Sequence, residues 1–388
     1  MIYFDNNATT QLAPTVLDAM RRSLEGLYGN PSSAYELGRE STLLIGEARE
    51  SVASLIGGAD PGEIVFTSGG TESDNWAILG ALEMQPAKDH IITTRVEHEA
   101  VRKTCERLEK RGCRVTWLDV DESGALDLDT LADALGQETA LVSIMLANNE
   151  TGILFPVAEV AKIVKQNSDA LFHADGVNAV GKIPIDIKGW GLDLLSLSAH
   201  KFHGPKGVGA LYIRDGVKLP SMYTGGGQES GRRAGTEAVH QIAGLAAAAK
   251  FVNEMTAMNR VREMRDRLES AILKSIPNAF LNGTGDPKKR LPNTSYISFE
   301  DTNGEMILAR LDDAGVCVST GSACNSQDHT ASAVLQAMNV PYTRAMGSIR
   351  FSLGRFNTIA EVDHVIDILP GIITDLRRIG GNYEVNKM

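Results

Sequence analysis

Leu192-Asp-Leu-Leu-Ser-Leu-Ser-Ala-His-Lys-Phe-His-Gly-Pro-Lys-Gly-Val-Gly209 is the stretch on which the fold turns. Its apolar part, 192–197, reads as a buried strand, and it becomes polar abruptly at Ser198, His200 and Lys201. A lysine at the end of a buried strand can form a Schiff base with a carbonyl group. Similar apolar runs precede and follow it: Ile64–Thr67, Ile91–Thr94, Val115–Val120, Leu141–Leu146, Leu171–Ala174 and Val208–Ile213. Their near-continuous apolar character predicts a mostly parallel seven-stranded sheet covered on both faces. Between them, Glu99–Lys110 sets Val101, Cys105 and Leu108 on one helical face. Pro156–Lys165 does the same with Val157, Val160, Ala161 and Val164, its proline suiting a first helical turn. This alternation defines an α/β domain.

Beyond it, Met258, Val261, Met264, Leu268, Ala271, Ile272 and Ile276 recur at helical spacing. Strands at Ser295–Phe299, Val316–Ser319 and Ile349–Leu353 alternate with helices at Gly304–Asp312 and Ala360–Ile373. The expected organisation is a large α/β domain over 12–255 and a smaller α+β domain over 1–11 with 256–388. With no Pro/Gly-rich linker near residue 255, the boundary is expected within helical structure.

The 388 residues carry a formal net charge of −11. That argues against general nucleic-acid binding, which needs clustered Lys and Arg. Lys288-Lys289-Arg290 reads as a solvated loop. The N-terminus does not read as a signal peptide, and no apolar stretch approaches the ~18 residues of a membrane span. Cys105, Cys113, Cys317 and Cys324 lack C-x-x-C pairing, which fits a reducing cytoplasm.

Four further segments carry chemistry. Ile64-Val-Phe-Thr-Ser-Gly-Gly-Thr71 reads as strand, glycine turn and helix start, where backbone N–H groups and the Thr71 hydroxyl can hold a phosphate. Such turns are also common without a ligand. Asp175, ending the 171–174 run, can pair with a cationic ring nitrogen, or it is a turn or N-cap aspartate. Turn, aspartate and lysine converge on one carboxyl edge of the sheet, where open α/β folds bind ligands. His98, just after Ile91–Thr94, is a proton carrier over that edge or a loop histidine without a role. Cys324 stands in a small, polar run, 319–332, the setting of an exposed, mobile and reactive thiol. Arg350, in a strand, needs an anion: a substrate carboxylate or a structural acid.

Taken together these segments resemble the cysteine desulfurases of the NifS/IscS type, in the class V aminotransferase group of fold-type I pyridoxal-phosphate enzymes. The resemblance runs nearly end to end. It includes Tyr3-Phe-Asp-Asn-Asn-Ala-Thr-Thr10, Tyr28-Gly-Asn-Pro-Ser-Ser33, Thr67-Ser-Gly-Gly-Thr-Glu-Ser73 and Ala147-Asn-Asn-Glu-Thr-Gly152. It continues through His200-Lys201, Gly225-Gly-Gly-Gln-Glu229, Arg233-Ala-Gly-Thr236, Ser319-Thr-Gly-Ser-Ala-Cys324 and Ile349-Arg-Phe-Ser-Leu353.

The resemblance implies that Lys201 binds the carbonyl of pyridoxal 5'-phosphate and Asp175 its ring nitrogen, with His98 stacked on the ring. Gly70, Thr71, Ser198 and His200 would hold the phosphate. Thr236 would reach the phosphate of a second subunit, making the enzyme a homodimer. Asn149 and Arg350 would bind the carboxylate of L-cysteine, with Asn149 also near the ring oxygen. Cys324 would take the substrate sulfur as a persulfide, with His98 as a proton acceptor, leaving L-alanine. The sulfur would go to iron–sulfur cluster assembly or other thio-cofactors, through a NifU/IscU-like scaffold or another acceptor. No resident metal is expected, although Cys324 can transiently ligate a nascent cluster.

Three departures stand out. Asp175-Gly-Val-Asn178 replaces the usual Asp-Ala-Val-Gln, so Asn178 would reach for the ring oxygen with one methylene fewer, through a longer or water-mediated bond. Thr330-Ala-Ser-Ala-Val-Leu335 replaces Glu-Pro-Ser-His-Val-Leu. The C-terminus does not match the tail with which some members dock a scaffold. Rival readings are a selenocysteine lyase, another class V aminotransferase, or a non-catalytic scaffold partner that keeps the fold.

Overall fold

The computed structural model describes residues 1–320 and 331–385. After a first short strand, β1 (Ile2–Tyr3), come seven that pair into one sheet: β2 (Ile64–Thr67), β3 (His90–Thr94), β4 (Arg114–Leu118), β5 (Thr139–Ser143), β6 (Leu171–Asp175), β7 (Leu194–Ser198) and β8 (Gly209–Ile213). The sheet order is β2-β8-β7-β6-β5-β3-β4, and only β8 runs against the others.

Alternation along each strand divides the side chains between two layers. Ile92, Val142, Phe172 and Leu195 face a core shared with α1 (Pro14–Gly26), α2 (Glu36–Leu55) and the helices Val157–Asn167 and Val239–Val252. Ile91, Leu141, Leu171 and Leu194 face the opposite core, with Trp76, Ala77 and Ile78 of α3 (Gly70–Met84) and Val101 and Cys105 of α4 (Glu99–Glu109). Each fully buried Leu, Ile or Val side chain contributes roughly 1.5–3 kcal/mol, so this double layer dominates the stability.

The smaller unit holds β9 (Ala279–Leu281), β10 (Thr294–Phe299), β11 (Val316–Cys317) and β12 (Ser348–Ser352). β9, β10 and β12 form an antiparallel sheet in the order β12-β10-β9, and β1 pairs in parallel with β11. Its core joins Phe4 to Val261 and Leu268 of the helix Ala257–Ser275, to Ile297 and Phe351, and to Val365 and Leu369 of the helix Ile359–Val385. We propose on this basis the division into 12–255 and 1–11 with 256–388.

Some details differ from expectation. Four strands stop earlier than their apolar runs, at Leu118, Ser143, Cys317 and Ser352. After Ser143 the chain bends off the ladder but stays bonded to β6, through Ile144 N–H to His173 O at 3.1 Å and Leu146 N–H to Asp175 O at 2.8 Å. Pro156 is the N-cap of its helix rather than a first-turn residue. The expected boundary near 255 falls between two helices, in residues 253–256, rather than within one.

Candidate active site

Four strand ends bring the chemistry to one edge of the large sheet. β2 passes through Gly69, at φ 151° and ψ −175°, into α3. Such a φ is open to glycine. A Cβ on Gly70 would come within 2.5 Å of Val177 Cγ2, so glycine lets the start of α3 lie against the loop after β6. The first backbone N–H groups of a helix have no intrahelical partner, which leaves those of Gly70 and Thr71 to an anion. Ser198, at the end of β7, is buried and packs 3.6 Å from where a Cβ of Gly69 would stand. Beside this turn, Arg233 donates to both oxygens of Glu72 at 2.9 and 3.2 Å, and Ser68 N–H donates to Oε2 at 2.9 Å. Burial opposes the charge on Glu72, but these bonds outweigh it and hold the carboxyl below its usual range.

Asp175 ends β6, is 5% exposed, and accepts from Val177 N–H at 2.8 Å. Burial raises its pKa, opposed by the positive character of His98 and Lys201. A ring nitrogen of His98 and oxygens of Asp74 and Asp175 all lie within 4.8 Å of one another. His98 is the exposed N-cap of α4, its Nδ1 accepting from Ala100 N–H at 3.1 Å. That bond assigns the neutral ring the tautomer with the proton on Nε2.

Lys201 follows β7 in a single 3-10 turn, Ala199–Lys201. Its Nζ donates to the carbonyl of Asn7. Burial, reinforced by the Arg350 charge and opposed by Asp175 and Asp5, lowers it to about 8. His200 Nδ1 lies 3.2 Å from Thr9 Oγ1. Burial and then the Lys201 charge lower this imidazole to about 4, so it is neutral at physiological pH.

The N-terminal strap holds residues that sequence reading assigned no role. Asn7 donates to Asn149 O at 3.1 Å and Thr294 Oγ1 at 2.8 Å, and accepts from Lys182 at 2.9 Å and Asn293 at 3.0 Å. Asp5 pairs with Arg350 at 2.8 Å, while Arg350 also donates to Asn149 O at 3.0 Å. Of the two anions open to Arg350, a structural acid is thus present. Its Nε has no partner among the described residues, which leaves donor capacity for a further anion.

Asn178 is buried with its side-chain oxygen accepting from Lys182 Nζ at 2.7 Å and its amide donating to Asn148 O at 3.4 Å. Thr236 is exposed and lines a cavity of about 80 Å³ with Thr67, Ser68, Gly207 and Gln241. Cys324 lies outside the described residues. Asn7 and Asp5 stand in the quoted N-terminal motif, which was the only signal for them. Lys182 and Glu97 carried none, because a buried ionisable side chain looks like a surface one in sequence.

The donor set fits a phosphorylated aldehyde with a cationic ring. It comprises a half-buried amine of lowered pKa, a buried carboxylate whose charge acts on it, and a helix start flanked by the Ser198 hydroxyl. Residues 2–365 match the class V aminotransferase family model. The chain is 50% identical over 381 residues, covering 98% of it and 94% of the relative, to a cysteine desulfurase of Nostoc sp.. A solved NifS-like protein superposes with a TM-score of 0.90 at 39% identity, covering 97% of this chain and all of the other. A structure of SspA in complex with cysteine matches at 33% identity and a TM-score of 0.81, over 92% of this chain and all of its own.

The chain therefore belongs to the class V aminotransferases, enzymes that use pyridoxal phosphate on a fold-type I framework. Full-length similarity at this level places it more narrowly. It is a cysteine desulfurase acting on L-cysteine, and the readings as an aminotransferase or an inert scaffold fall away. Among the described residues no helix is long and apolar enough to cross a membrane.

Proposed function

We propose that this desulfurase delivers sulfur through a persulfide on Cys324, using the sheet-edge cluster around Lys201. The observation that carries the reading is the convergence of Lys201, Asp175, His98 and the start of α3 on one sheet edge. Lys201 would hold the cofactor through its carbonyl carbon, Asp175 its ring nitrogen, and His98 its ring face. Gly70, Thr71, Ser198 and His200 would hold its phosphate, with Thr236 of a second copy completing the site in a homodimer. Asn178 and Asn149 would serve its ring oxygen.

Bound pyridoxal phosphate supplies an electron sink for the bonds at the amino acid's Cα. Arg350 and Asn149 orient the substrate carboxylate, the guanidinium offering the bidentate geometry that suits it. The amine of Lys201 takes the Cα proton, its lowered pKa suiting a general base near neutrality. His98 accepts the thiol proton on Nδ1, giving up the bond from Ala100 N–H. The Cys324 thiolate then bonds to the substrate sulfur, and the C–S bond breaks with its electron pair left on carbon. That carbon takes a proton, Lys201 returns one to Cα, and L-alanine leaves with the persulfide held on Cys324. A thiolate is required for this attack, and a free thiol titrates near ~8.5. We further propose a cytoplasmic enzyme, in keeping with the free thiols of Cys105, Cys113 and Cys317, which hands sulfur to a NifU/IscU-like scaffold or another acceptor.

The test follows alanine and sulfide from L-cysteine with dithiothreitol. Lys201→Ala should abolish both products. Cys324→Ser should retain the absorbance of bound cofactor yet form no persulfide. Normal sulfide release by the serine variant would refute the persulfide route.

A further inference from the structure

Three carboxylic side chains are buried behind the floor of the site: Asp74 on α3, Asp175 at the end of β6, and Glu97 just before His98. Asp74 is 1% exposed, and its Oδ1 has no hydrogen-bond partner among the described residues. An oxygen of Asp74, an oxygen of Asp175 and a ring nitrogen of His98 come within 4.8 Å of one another. Two carboxylates this close, with little water to solvate them, cannot both hold a charge without a cation between them.

The titratable groups around Asp74 are His173 and Asp175 from β6, with Glu97 and His98 from the turn before α4. His173 supplies no counter-charge. His173 Nε2 is 3.6 Å from Asp74, but its nitrogens are bonded to the Ser143 and Ser196 hydroxyls at 2.9 Å. Burial lowers its pKa to about 3, so it is neutral. Glu97 accepts from Thr94 Oγ1 and Met145 N–H at 2.9 Å through one oxygen, while the other has no partner among the described residues.

Asp175 differs from Asp74. It accepts the Val177 N–H at 2.8 Å, and the positive character of His98 and Lys201 favours its charged form.

We propose that Asp74 is a positioning residue carried as a neutral carboxylic acid, so that the Asp74–Asp175 pair presents one negative charge, on Asp175, to the cofactor's ring nitrogen. This rests on the assignment of Asp175 made above. The physical consequence is mechanical as well as electrostatic. Asp74 lies one turn into α3, whose first residues form the phosphate turn, and Asp175 ends β6. Ionising both would push apart the two elements that must hold opposite ends of one rigid ring. Burial, and then the Asp175 charge, push Asp74 well above the usual carboxylate range, and burial pushes Glu97 up to about 8.

Asp74→Asn replaces the acid by a neutral group of the same shape. In the cofactor-loaded full chain near neutral pH, infrared difference spectra should show that the substitution removes a carbonyl band of a neutral carboxylic acid. The pH midpoint of the bound cofactor's absorbance should move by less than about half a unit, because no charge has been removed. Absence of that band, or a midpoint shift of half a unit or more, would overturn the proposal. If the variant fails to fold, carboxyl-¹³C aspartate in the wild-type chain decides it. An acid resonance that stays protonated from about pH 6 to 8 supports the proposal, and none refutes it. Asp175→Asn tests the underlying assignment separately: with a ¹⁵N-labelled cofactor ring, it should lose ring-nitrogen protonation whatever the state of Asp74.

Discussion

Lys201 combines two requirements that ordinarily conflict. A lysine in water is protonated and unreactive at neutral pH, whereas a buried one loses the hydration that favours its charge. Here burial and the Arg350 charge together outweigh Asp175 and Asp5, and the amine titrates at about 8. The neutral amine is the nucleophile toward a carbonyl. The rate of pyridoxal phosphate uptake by cofactor-free chain should therefore rise with pH and level off above about 8, followed by absorbance in stopped flow. A profile still rising steeply toward pH 10 would mean that Lys201 is not depressed. Linkage gives the accompanying sign: the folded state binds fewer protons at Lys201 than the unfolded one between about 8 and 10.4, so this residue's contribution to stability rises with pH in that window. Sequence placed the lysine at a strand end. It did not show Arg350, which lowers the amine and comes from a strand 149 positions later, because through-space electrostatics leaves no local pattern.

At the scale of elements, the segment carrying Thr236 has little regular structure of its own. It is anchored by the buried carboxylate of Glu229, which accepts from Phe66 N–H at 2.9 Å and pairs with Arg49 on α2 through both oxygens. Glu229 and Ser230 adopt φ of 50° and 57°, a left-handed conformation unfavourable for side-chain-bearing residues. The ion pair and the edge of β2 hold them there. Glu229→Ala would leave the Arg49 guanidinium without its carboxylate and the Phe66 N–H without its acceptor. We expect a loss of about 3 kcal/mol in denaturant unfolding, with earlier hydrogen exchange in 223–236 than in the sheet. A loss below about 1 kcal/mol would show that the anchor is dispensable. Helices and strands of this fold were legible because a single period, 2 or 3.6, runs through each. The Glu229 anchor was not, since it joins a loop to a helix and a strand that precede it by more than 150 residues.

On the scale of the whole molecule, the first residues of the chain bind its two units together. β1 pairs with β11 in the small unit, Phe4 enters that unit's core, and Asn7 then reaches Asn149 and Lys182 of the large one while its carbonyl meets Lys201. The proposed donation of Thr236 to a second copy makes a further prediction. Lys201→Ala and Thr236→Glu chains, each inactive, are unfolded together and refolded as a mixture. If Thr236 acts across the interface, a hybrid dimer contains one site with native Lys201 and native Thr236. About half of the refolded chains would form hybrids, so roughly a quarter of native alanine production should return. No recovery would place Thr236 in its own chain's site and remove that reason for a dimer.

The sequence by itself determined the layered α/β sheet, the lysine, the aspartate and the glycine turn at its edge, and the family. These follow from local period, local turn chemistry and motifs that lie in unbroken runs. Only the tertiary structure decided that Arg350 already holds Asp5, that Asn178 is bonded to a buried Lys182, and that Asp74 and Glu97 are acids sealed from water. A residue's charge state depends on what surrounds it in three dimensions. Those surroundings are assembled from strands, turns and a terminus far apart along the chain.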